Sequence, residues 1–171
     1  GARPVSLAGD YTISSWFKTL QPNTTYRTLA RGSTANGDHM IILQTGTDNL
    51  GFWGNAAGGS FADSTYDLTT PASEWHWLAI TATNGASRFY ADGAYVGMVS
   101  KKSSLDVFAV GNIQSVYGGQ KWSEYLDEYR VQSVARSTNW VWAEWMNVVS
   151  NTPFLLYNDV IPPRPTVFLW R

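Results

Sequence analysis

The sequence predicts an all-β sandwich with one short helix toward its C-terminal side. Three observations predict it. The first is Glu74–Met98, EWHWLAITATNGASRFYADGAYVGM, which reads as three strands joined by two tight turns. Trp75, Trp77, Ala79 and Thr81 alternate with His76, Leu78, Ile80 and Ala82. Both faces of that strand are therefore apolar, as expected between two packed layers. Asn84-Gly85 and Asp92-Gly93 separate the strands, and both dipeptides tolerate the positive φ angles of two-residue hairpins. The second observation is composition. Aromatic and charged residues each make up 15% of the chain, with nine Trp and nine Tyr, a balance typical of extracellular all-β modules. The third is length: 171 residues suit one domain with a sizeable core.

The remaining elements follow in order. ARPVSL (2–7) reads as a short strand before a turn at Ala8-Gly9-Asp10, and YTISSWFKTL (11–20) as a long strand ended by Gln21-Pro22-Asn23. YRTLARGS (26–33) and HMIILQT (39–45) flank an Asn36-Gly37 turn, and NLGFWG (49–54) leads into the loose stretch Asn55–Ser60. STYDLTT reads as an edge strand interrupted by Pro71. After the meander come a polar connector, a buried strand at VFAVGNI (107–113), a Gly-containing loop at 115–124, and the long strand YLDEYRVQSVAR. Ser137 is placed to cap a short helix, whose Trp142, Trp145 and Met146 would face the sheet. PFLLYN (153–158) reads as a further strand.

Three of these stretches resemble the concanavalin A-like, laminin-G-like jelly-roll family. EWHWLAITATNGASRFYADGAYVG is similar to its central meander, YTISSWFKT (11–19) to its "F-T-I-S-x-W-h-K" strand, and YLDEYRVQSVARSTNWVWAEWMN (125–147) to its closing strand and helix. They occur in the family's order and place a jelly roll over residues 1–158, with the family's first strand missing. The resemblance implies lectins, adhesins, protein-binding modules or glycoside hydrolases, because this fold hosts all four. It also implies a structural calcium ion as the one cofactor. Asp127 matches the family's aspartate, and Asp10 lies in a turn that offers another oxygen. With six to eight oxygens needed, such a site has to be assembled from distant segments. The competing reading is that Asp127 accepts backbone N–H groups.

Chemistry narrows the choice. Jelly-roll glycosidases set their acids at alternate strand positions, whereas Glu124-Tyr125-Leu126-Asp127-Glu128 breaks that spacing. Glu124 and Glu128 on one strand face would stand roughly 13 Å apart, beyond the separations of about 5–9.5 Å that glycosidases use. His39 and His76 lack a serine elbow or a second metal ligand at usual spacing, so each reads as a packed histidine with its polar tip satisfied. Zero Cys excludes disulfides, zinc thiolates and thiol catalysis. A net charge of −1 gives no attraction to nucleic acid, and no apolar run is long enough to span a membrane.

The expectation is a non-catalytic recognition module, extracellular or at the surface of a bacterial or archaeal cell, with a glycan or cell-surface protein as ligand. Sugar C–H faces stack on aromatic rings while their hydroxyls need amide or carboxylate partners. Trp53, Tyr117 and Trp122 are the candidate rings, and Asn55, Asn112 and Gln120 the candidate partners. A structural subunit is the alternative. Asp159–Pro165 holds three prolines in seven residues and leads into Thr166-Val167-Phe168-Leu169-Trp170, a strand-like segment. Donated to a neighbour's unpaired edge, that segment would join copies into a ring or filament.

Overall fold

The structure is a computed structural model and describes residues 4–33, 37–55, 58–112 and 119–150. Its strands in chain order are β1 (Val5–Ser6), β2 (Tyr11–Leu20), β3 (Arg27–Arg31), β4 (His39–Leu43), β5 (Asn49–Gly54) and β6 (Ser60–Asp67). Then follow β7 (Trp75–Thr83), β8 (Ala86–Ala91), β9 (Ala94–Val99), β10 (Asp106–Val107), β11 (Ala109–Val110) and β12 (Ser123–Gln132), with helix α1 (Thr138–Val149) last. Two antiparallel five-stranded sheets carry the fold, one in the order β11-β3-β4-β5-β6 and the other β12-β2-β7-β8-β9. A two-stranded piece pairs β1 with β10.

Alternation along the strands builds the core. Ile13 and Phe17 of β2, Leu78 and Ile80 of β7 and Phe89 of β8 meet Leu29, Met40, Leu50 and Phe52 of the opposite sheet, all buried. The other face of β7 is apolar because α1 lies on it: Trp16, Trp77, Ala79 and Tyr90 pack with Val141. Both hairpins adopt the positive φ pairs their sequences suggest, Asn84 at 49° with Gly85 at 75°, and Asp92 at 47° with Gly93 at 77°. The second is held further. Asp92 Oδ1 accepts from Trp77 N at 2.7 Å and its Oδ2 lies 2.8 Å from His76 Nδ1. A Cβ on Gly93 would come within 2.6 Å of the Trp145 ring, so the turn also serves as the seat of the helix.

Three expectations need correction. First, the buried strand at 107–113 is two short pieces, β10 and β11, in different sheets, with Phe108 exposed between them. Second, α1 does begin at a Ser137 cap that accepts from Trp140 N at 3.3 Å, but it buries Val141 and Glu144 rather than Trp142, which is exposed. Trp145 does pack against the sheet. Glu144 goes inward because Arg130 Nη1 of β12 meets its Oε1 at 2.6 Å. Third, the strand that carries Glu124 and Glu128 does not alternate regularly. A bulge between Asp127 and Arg130, with Glu128 at φ 48°, adds one residue and resets the alternation. The strand at 153–158 and the segment Thr166–Trp170 lie outside the described residues.

Candidate functional site

On β5, Leu50 and Phe52 point into the core, which leaves Gly51 and Trp53 on the outer face of the sheet remote from α1. Register then aligns a row across four strands: Arg31 opposite His39, His39 opposite Trp53, and Trp53 opposite Phe61. One half of the row is aromatic. Tyr26 meets the Trp53 ring edge-on at 5.4 Å between centroids and the Phe61 ring at 6.3 Å. Phe61 folds over Gly51, where any Cβ would come within 2.6 Å of its Cζ. Tyr26, Trp53 and Phe61 are half-buried, so ring surface remains at the protein boundary. Trp53 Nε1 donates to Asn55 Oδ1 at 2.7 Å, and Asn55 Nδ2 donates to Gly37 O at 2.8 Å, which fixes the indole's orientation.

The other half of the row is polar and buried. Arg31 Nε donates to His39 Nε2 at 3.1 Å, so that nitrogen carries a lone pair and the proton sits on Nδ1. His39 Nδ1 then donates to Thr28 Oγ1 at 2.8 Å, and Thr28 Oγ1 donates to Gln120 Oε1 at 3.1 Å. The chain of donors runs one way, from guanidinium to amide. Burial, and secondarily the Arg31 charge, lower the His39 pKa to about 4 from its ordinary value of 6.5. The imidazole is neutral at pH 7.

Of the expected ligand residues, the structure brings Trp53 and Asn55 together and places Gln120 on the same sheet through Thr28. Tyr117 lies outside the described residues, and Asn112 lies in the turn after β11, where it has partners of its own. Trp122 is a correction: its side chain is 0% exposed and packs edge-on against Phe17 at 5.5 Å, so it is core rather than a stacking surface. Its backbone is tied on both sides, N to Gly111 O and O to Gln21 N. Tyr26, Thr28, Arg31 and Phe61 were not singled out in the sequence. The signal available was hairpin arithmetic, since β3 to β6 follow one another through short connections.

The residues offered for calcium do not converge. Asp10 Oδ2 accepts from Thr83 Oγ1 at 2.8 Å, just before β2 begins. Asp127 lies opposite Trp16, roughly 20 Å further along at the strand rise, and its Oδ1 accepts the Glu128 backbone N–H at 2.8 Å within the bulge. Among the described residues no group of three His, Asp or Glu side chains could hold a metal ion. Among the same residues no helix is long and apolar enough to cross a membrane.

Comparison with known structures finds the same sandwich in several solved proteins. A heptameric SAP-like pentraxin from Limulus polyphemus aligns with TM-score 0.59 and 20% identity over 81% of this chain and 70% of its own. The CBM40 module of a Ruminococcus gnavus IT-sialidase, bound to α2,3-sialyllactose, aligns with TM-score 0.60 and 14% identity over 82% and 91%. Domain 4 of an extracellular GH43 arabinanase from Geobacillus stearothermophilus, in complex with arabinotriose, gives TM-score 0.59 and 22% identity over 81% and 66%. No curated protein sequence matches significantly. The Laminin_G_3 family model, described as the concanavalin A-like lectin/glucanases superfamily, matches residues 2–141. The long strand β2, the Asn-Gly and Asp-Gly meander and the helix-capped closing strand are thus the marks of a concanavalin A-like lectin/glucanase superfamily domain, and the chain belongs to that family.

Proposed function

We propose that this domain is a non-catalytic extracellular module that binds glycans on the outer face of the β3–β6 sheet. The observation that carries the reading is the Tyr26–Trp53–Phe61 ring cluster, anchored by Asn55 and continued by the Gln120 amide. A sugar's C–H face stacks on such rings while amides satisfy its hydroxyls. Two neighbours of the same fold, solved with sialyllactose and arabinotriose, support the class of ligand. The binding-only reading is supported by the Glu124–Glu128 segment, whose bulge removes the alternate spacing that a pair of glycosidase carboxylates needs.

A glycan array probed with the intact chain, followed by calorimetry on the best hit, tests this. Trp53→Ala is expected to weaken binding by at least about tenfold, equivalent to about 1.4 kcal/mol, with the thermal transition retained. Undiminished binding by a folded Trp53→Ala variant, or no glycan bound at all, overturns it.

A further inference from the structure

We propose a second carbohydrate site on the opposite side of the sandwich, between the end of α1 and a Trp75–Lys18–Tyr125 row, for a neutral oligosaccharide. The proposal does not depend on the reading of the β3–β6 face. Tyr125 of β12 pairs with Lys18 of β2, and Lys18 with Trp75 of β7, so the three side chains line up across adjacent strands. Trp75 is 45% exposed and Tyr125 54%, unusually open for rings within a sheet. Their centroids lie 6.4 Å apart with the planes canted by 58°. That is a twisted two-ring platform, not a core pair.

Two adjoining clefts share Trp75 as a common wall. One, of about 340 Å³, is lined by Lys18, Thr19, Trp75, Glu124 and Tyr125. The other, of about 390 Å³, is lined by Trp16, Trp75, Asp127, Glu128 and the helix residues Val148 and Val149. Together they make a groove with aromatic and aliphatic walls and polar atoms at the rim, the combination that an amphipathic pyranose requires. Position in the fold accounts for the openness. The helix covers Trp77, one residue pair along β7, and ends beside Trp75 without covering it.

Charge selects among sugars. Three carboxylates line the two clefts, Glu124 in the first and Asp127 and Glu128 in the second, against one ammonium, that of Lys18 in the first. Arg130 is already engaged, by Glu128 at 2.9 Å and Glu144 at 2.6 Å. A uronic or sialic carboxylate would meet like charge here, whereas neutral hydroxyls find acceptors.

The test is a titration of the 15N-labelled intact chain, following the indole N–H signals. Neutral probes are cellohexaose, xylohexaose and arabinohexaose, with trigalacturonate as the acidic probe. At least one neutral probe is expected to shift the Trp75 indole signal, with affinity kept in Trp53→Ala and reduced at least about tenfold in Tyr125→Ala by that signal and in Trp75→Ala by calorimetry. Trigalacturonate is expected to leave that signal in place. The proposal is overturned if no neutral probe moves the Trp75 signal or if trigalacturonate moves it equally. It also falls if Trp53→Ala abolishes the response, which would mean one site and not two. Should Trp75→Ala fail to fold, Tyr125→Ala, at a more exposed position, carries the comparison.

Discussion

Acid should loosen this fold through His39. The imidazole is buried with both nitrogens engaged, and its pKa is lowered to about 4 from the ordinary 6.5 of a free imidazole. Above pH 6.5 the ring is neutral in the folded and unfolded chain alike, so it contributes its full stability there. As pH falls below 6.5 the unfolded chain takes up the proton while the folded state resists until about 4. Stability is therefore lost across that window and levels off beneath it. A difference of about 2.5 pKa units amounts to roughly 3 kcal/mol in all, of which about 2 kcal/mol is lost by pH 5. Against a typical domain stability of about 5–15 kcal/mol that is a visible fraction. Urea unfolding at about pH 8 and about pH 5 measures the drop, with His39→Gln as comparison. The glutamine amide can accept from Arg31 and donate to Thr28, yet does not titrate. The variant should lose about 2 kcal/mol less than the parent between the two conditions. Equal losses in both proteins would refute the buried neutral histidine.

Two further outcomes follow from packing. Trp122→Ala should lower unfolding free energy by about 3–5 kcal/mol by denaturant titration, because it empties a fully buried indole site beside Phe17. Replacing Gly93 by Ala should cost about 1–3 kcal/mol by the same measurement, since φ is 77° and the new methyl would strike the Trp145 ring. A Gly93→Ala chain of unchanged stability would mean that α1 is not seated on this turn.

The parts of the fold legible in the sequence were those set by neighbours in the chain. The Asn84-Gly85 and Asp92-Gly93 hairpins and the Ser137 cap depend on a few consecutive residues, and all form as expected. Trp142 and Trp122 depend on distant partners. Hydrophobic spacing favours Trp142 as the helix face, but Arg130 reaches across from β12 and draws Glu144 inward, turning the buried stripe. Trp122 sits in a polar, glycine-bearing stretch that resembles a rim loop. Its burial is decided by Phe17, more than a hundred residues earlier in the chain. Within the candidate site, Trp53 and Asn55 were visible as an aromatic and an amide beside a loop. The Arg31–His39–Trp53–Phe61 row was not, because β3, β4 and β5 pair through register shifts that simple alternation does not anticipate.

The way the two sheets draw on the chain has a consequence for how the molecule forms. The β3–β6 meander joins strands adjacent in sequence, so its pairings close short loops. The other sheet inserts β2 between β7 and β12, matching Leu20 with Ser123. That registration waits until most of the domain has been synthesised, and Trp122 enters the core at the same moment. On a ribosome the ring cluster around Trp53 can therefore acquire its backbone frame well before the sandwich closes. Until β12 arrives, β2 presents an unpaired edge, and that interval is the stage at which a nascent chain is most exposed to pairing with the wrong strand.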